Sequence, residues 1–128
     1  MLSALLASLP YSMSQVSSTL RRIEGGFAHW CPGCEEVHRL PDSWSFNGDL
    51  EKPTFAPSFK HSGIRCVFAD GKWTGEWVRD ASGNTIPYVC HYILTNGQLQ
   101  FGGDSTHALA GKTVPLPQLP EGLTDEDF

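Results

Sequence analysis

Two thiols three positions apart, Cys31 and Cys34, flank the bend-forming pair Pro32-Gly33 in the stretch Phe27-Ala28-His29-Trp30-Cys31-Pro32-Gly33-Cys34. A C-x-x-C turn lets both sulfurs close on one ion, and zinc takes thiolate and imidazole ligands in a tetrahedron. Such a knuckle supplies half of a site, so further ligands must come from downstream. The chain holds four cysteines (Cys31, Cys34, Cys66, Cys90) and five histidines. An even cysteine count also fits two disulfides in an oxidising compartment. The C-x-x-C spacing, the histidines and the absence of a basic residue before Arg21, which a secretory leader would carry ahead of its apolar run, favour metal in a reducing one.

The elements that must position these ligands are short strands. Asn96-Gly97 between two apolar runs is the strongest hairpin signal in the chain. A two-residue type I′ turn there sets Thr95 opposite Gln98, Leu94 opposite Leu99 and Tyr92 opposite Phe101. Alternation then puts Cys90, Tyr92, Leu94, Leu99 and Phe101 on one face, and His91, Ile93, Gln98 and Gln100 on the other. Cys90 is therefore the third ligand expected. Three residues compete for the fourth place. His107 is preferred, because it can return to the sheet after the Gly102-Gly103 bend. Cys66 would make a four-cysteine site. His91 should point away from Cys90. The expected metal set is Cys31, Cys34, Cys90 and His107 around a structural zinc, with His29 and His38 as exposed or supporting histidines.

Other strands read less sharply. Val16 to Ile23 alternates in part. Phe27 to Cys31 and Val37 to Leu40 are the two arms of the knuckle, with Glu35 where zinc ribbons commonly carry glycine. Pro53 to Phe59 is an extended, proline-bearing edge. Ile64 to Phe68 and Lys72 to Val78 form a hairpin about Asp70-Gly71. Asp104 or Ser105 is placed to cap one or two helical turns through Leu109, and Thr113 to Pro117 is a last edge strand. The expected fold is mainly β: a small antiparallel sheet or sandwich of hairpins stapled by the zinc knuckle, with one or two short helices. Residues 25–117 should form the domain. Residues 1–24 are read as an arm, partly disordered or a short helix or strand, whose Leu2 to Leu9 run could mediate self-association. Met1 and Met13 both read as starts. Residues 118–128 are read as an acidic disordered tail.

The net charge is −5, and four acids lie in that tail with no basic residue after Lys112. The body is close to neutral and has no basic face for a phosphate backbone, so no direct nucleic-acid contact is expected. No stretch approaches the ~20 apolar residues of a membrane helix.

The strings HWCPGCEEVH, WSFNGDLEKPTFAPS and VCHYILTNGQLQFGGDSTHALAGKTVPLP resemble a family of small zinc-knuckle proteins encoded by tailed phages and prophages. The resemblance runs from about Phe27 to Pro117. It implies Cys31, Cys34, Cys90, His91 and His107 as signature positions, leaves Cys66 outside the pattern, and implies no particular activity; some relatives carry Cys where this chain has Ser105. It also implies a cytoplasmic protein of the host cell, whose partner is a host or phage protein.

Two functions are then open. One is a binding protein with a filled, structural zinc, its contact patch being Trp44 and Phe46 in the Asp42 to Asp49 loop or the N-terminal arm. The alternative is a small zinc-dependent hydrolase with an open metal position near His91, Asp104 and His107, with Thr106 beside them. No nucleophile and base stand at a recognisable motif spacing, so the binding protein is the expectation and no catalytic residue is assigned.

Overall fold

The computed structural model describes residues 15–128; the Leu2 to Leu9 run and Met13 lie outside the described residues. The described residues fold into eleven short strands in four antiparallel sheets. β1 (Arg21–Ile23), β2 (Gly26–Cys31) and β3 (Glu36–Pro41) form one sheet. β4 (Ser45–Phe46) pairs with β5 (Phe55–Ala56), and β7 (Cys66–Ala69) with β8 (Lys72–Trp77). The central sheet runs β11 (Thr113–Pro115), β10 (Gln98–Phe101), β9 (Pro87–Thr95), β6 (Phe59–Ile64).

The β9–β10 hairpin takes the register dictated by its turn, Gln98 opposite Thr95 and Phe101 opposite Tyr92. Asn96 (φ 51°) and Gly97 (φ 73°) supply the two left-handed residues that the turn requires. Cys90, Tyr92, Leu94, Leu99 and Phe101 are all buried on one face, and Ile93 on the other is 46% exposed. Leu20, Leu40, Phe55 and Leu116 complete the core around them.

Four expectations change. The segment after β10 is a series of turns, with no helix between Asp104 and Leu109. Its backbone and hydroxyls are spent on β9 instead: the Thr106 N–H and the Ser105 and Thr106 hydroxyls bond to it. Among the described residues the one short helix is a single 3-10 turn, Asp125–Asp127, in the tail. That tail is docked: Arg21 pairs with Asp125 and lies 4.3 Å over the Phe128 ring, and Arg39 donates to the carbonyls of Asp127 and Phe128. Of the tail's acids, the Asp125 carboxylate is held by an arginine of β1, and an arginine of β3 holds the backbone at Asp127 and Phe128. Trp44 and Phe46 pack against the core, Phe46 stacking on Phe55 at 4.6 Å. Among the described residues the exposed aromatics are Phe68, Trp73 and Trp77 on the β7–β8 hairpin.

β6 was not legible as a strand over its whole length. Lys60, His61, Ser62 and Gly63 carry no alternating apolar pattern, and their extended form comes from pairing with β9. That pairing brings Ser58, the residue just before β6, beside β9.

Candidate catalytic triad and metal cluster

Cys90 and His91 are neighbours on β9 and so project to opposite faces of the sheet. Each anchors a separate constellation.

On the buried face, the ligand atoms of Cys31, Cys34, Cys90 and His38 all lie within 4.8 Å of one another. The knuckle closes by its own hydrogen bonds: the Glu35 N–H donates to the Cys31 carbonyl at 2.8 Å, and the Cys34 N–H points at Cys31 Sγ at 3.4 Å. Glu35 takes the left-handed φ of 55° that glycine supplies elsewhere. Cys31 and Cys90 sulfurs stand 3.9 Å apart. Two thiolates bound at about 2.3 Å in a tetrahedron would stand about 3.8 Å apart. Tyr88 donates its hydroxyl to Cys34 Sγ at 2.7 Å. Hydrogen bonds from Cys34 and Cys90 pull the Cys31 thiol down to about 4, while the hydrogen bond to Cys31 pushes Cys90 up. Three sulfurs this close cannot all ionise without a cation among them.

His38 is only 5% exposed, not an exposed strand histidine, and its Nε2 is buried and makes no hydrogen bond, with a Glu36 carboxylate oxygen 3.5 Å away. Its Nδ1 lies 3.1 Å from the Tyr92 hydroxyl, which also bonds His29 Nε2 at 2.6 Å. Burial, with His38 beside it, pushes His29 down to about 3, so His29 is neutral. His107 lies outside the group of four, packed over Gly33 at the knuckle, where a Cβ would come within 2.5 Å of its Nε2. Its Nδ1 accepts the Leu109 N–H at 3.2 Å, which leaves the proton on a buried, unpartnered Nε2. Cys66 sits on β7 with its thiol donating to the Ile64 carbonyl, also outside the group.

On the open face, His91 Nδ1 lies 3.1 Å from both oxygens of Asp104, and His91 Nε2 lies 3.3 Å from Ser58 Oγ. A carboxylate only accepts, so the proton sits on Nδ1 and Nε2 is free to accept from the serine hydroxyl. The His91 hydrogen bond is the main reason Asp104 stays below the usual carboxylate range; Lys60 Nζ adds its charge from 3.7 Å. The side chains of His91 and Asp104 are 32% and 47% exposed, and Ser58 is exposed, so the group is open to a large substrate.

The segment Gly102 to Thr106 holds this geometry. The His91 carbonyl accepts the Gly102 N–H at 2.8 Å and the Ser105 hydroxyl at 3.1 Å, and the Ser105 oxygen accepts the His91 N–H at 3.1 Å. Thr106 clamps Val89 in the same way, through its Oγ1 and its backbone N–H. Of the sequence cluster His91, Asp104, Thr106 and His107, only His91 and Asp104 meet with their functional atoms. Ser58 gave no sequence signal: it sits in Ala56-Pro57-Ser58-Phe59, an extended piece with no glycine-flanked nucleophile motif.

Among the described residues no helix is long and apolar enough to cross a membrane. No curated protein and no solved structure matches the chain. A family model does, over residues 7–102, a span that includes Ser58, His91, the three clustered cysteines and His38 and that stops two residues short of Asp104. It names a bacterial system and says nothing of phages. By that match the chain belongs to the family described as bacterial ubiquitination-like system serine protease, BubE.

Proposed function

We propose that the protein is a serine peptidase that works in a bacterial ubiquitination-like system, with Ser58 as nucleophile, His91 as general base and Asp104 as the residue that orients His91. The observation that carries this reading is the continuous hydrogen-bonded line from Ser58 Oγ through the imidazole to the Asp104 carboxylate. The family's description supports it independently. As Oγ attacks a carbonyl carbon, His91 Nε2 takes the hydroxyl proton, and the imidazolium formed is held by Asp104. The same nitrogen returns the proton to the leaving group. Water then adds to the acyl-serine, giving its proton to Nε2; the carbon–Oγ bond breaks, Nε2 returns that proton to Ser58 Oγ, and the acid is released. The chain order Ser, His, Asp is no obstacle, because triads are recognised by geometry and not by sequence order.

An alkyl fluorophosphonate should label Ser58 and leave Ser58→Ala unlabelled. Asp104→Asn should cut kcat by roughly 10³- to 10⁴-fold by favouring the wrong tautomer. A Ser58→Ala protein that still hydrolyses substrate would end this assignment.

The cluster of Cys31, Cys34, Cys90 and His38 is proposed to hold one structural zinc. The sulfur spacing and the convergence of His38 with the three thiols within 4.8 Å support the donor set. Both nitrogens of His91 are engaged by Ser58 and Asp104 on the opposite face, which disfavours the open zinc site near His91, Asp104 and His107. His38→Ala should lose zinc more readily than His107→Ala, and the reverse ranking would restore His107 as fourth ligand.

A second reading, binding of a protein partner without turnover, is favoured by one observation: Phe68, Trp73 and Trp77 are 62%, 50% and 37% exposed on one hairpin. It gains if Ser58→Ala keeps full biological effect.

A further inference from the structure

β6 is the outermost strand of the central sheet, and among the described residues nothing pairs with its far side. Its nucleophile-proximal end begins one residue after Ser58. The hydrogen bonds of β9 decide which backbone groups of β6 are free. His91 and Val89 spend both their N–H and their C=O on the Gly102 to Thr106 side. In an antiparallel pair, opposed residues either bond each other or both point away. Lys60 is opposed to His91, and Ser62 to Val89. Lys60 and Ser62 therefore turn their N–H and C=O outward, away from β9, while Phe59, His61 and Gly63 bond inward.

A row of outward donors and acceptors on an exposed strand is a template for another strand, and proteins usually blunt or cover such edges. Here the row starts at the nucleophile. We propose that the outer edge of β6 is the substrate track. An extended, unfolded polypeptide segment adds to it as a strand, bonding the backbones of Lys60 and Ser62, and so lays its scissile carbonyl at Ser58. Main-chain bonds carry the affinity in this mode, so folded segments are poor substrates whatever their sequence. This inference rests on the serine-peptidase reading.

The test uses the full chain and two kinds of Ser58-directed probe. The first is the alkyl fluorophosphonate. The second is a set of peptidyl diphenyl phosphonates extended from one to four alanines. Lengthening the peptide should speed inactivation at least tenfold. Ser62→Pro removes an outward N–H without touching the ladder to β9, as proline does on an edge strand. In that variant the ratio of long-probe to short-probe rates should fall close to one. N-methylating the backbone of the four-residue probe should abolish its advantage on the unaltered protein, a result that needs no variant to fold. An inactivation rate independent of length, or a ratio untouched by both Ser62→Pro and N-methylation, overturns the track while leaving the triad standing. Failure of the alkyl probe to label Ser58 overturns the peptidase reading itself.

Discussion

Gly102 carries no functional atom, yet the His91–Asp104 pair leans on it. A Cβ at this position would lie 2.5 Å from Asp104 Oδ1 and 3.2 Å from His91 Nδ1. Its φ lies outside the left-handed region, so the demand is for space and not for backbone freedom. Gly102→Ala should push the carboxylate off the imidazole and lower kcat about 100-fold, the scale of a 1 Å misplacement. Because Asp104 is at the surface, stability should change by no more than ~1 kcal/mol. Kinetics and a urea melt on the same sample check this; unaltered kcat would show that Asp104 does not need its present place.

Strands explain what the sequence did and did not disclose. The β9–β10 hairpin was legible because one dipeptide, Asn96-Gly97, sets its register, and alternation then sorted Cys90 from His91 correctly. The three cysteines follow from spacing and register for the same reason. Ser58 was hidden because its partners lie 33 and 46 positions away and only the pairing of β6 with β9 brings them together. His38 was hidden because burial of β3 depends on packing against Phe59 and Tyr92. The Asp-Ser-Thr stretch read as a helix cap since those residues bond backbone N–H groups; here the backbone they bond belongs to β9. That substitution of side chains for a strand makes Ser105 a structural residue. Ser105→Ala leaves the His91 N–H without its acceptor, a cost of about 1–3 kcal/mol. A lower urea midpoint with reduced turnover is the expected outcome, and a midpoint equal to the parent would show the clamp to be dispensable.

At the level of the whole molecule, the proposed zinc would tie the β1–β2–β3 sheet to the central sheet, since Cys31, Cys34 and His38 come from the first and its loop and Cys90 from the second. Structural zinc binding is coupled to folding. Stripping the metal with a strong chelator should therefore lower the melting temperature by more than roughly 10 °C. It should also abolish fluorophosphonate labelling, because the residue after Cys90 is the proposed general base. Re-added zinc should restore both. Chelated protein that melts and labels like the parent would show that the cluster is not a staple.

β9 carries two constellations on alternate sides of one ribbon, and this constrains how the chain can vary over time. Substitutions at its exposed positions, Ile93 for instance, disturb neither side. A one-residue insertion or deletion between Tyr88 and Cys90 is different in kind, because a period of two exchanges the faces. The thiol would turn to solvent and the imidazole or its neighbour into the core, and no second change elsewhere repairs both. The Asp80 to Asn84 loop, exposed and stabilised by its own turn, has no such parity. An insertion scan scored for zinc content and for labelling should find that loop permissive and Tyr88 to His91 closed, with both readouts lost together. A β9 insertion that spares one and removes the other would mean that the strand can bulge locally, and that its two faces are free to evolve apart.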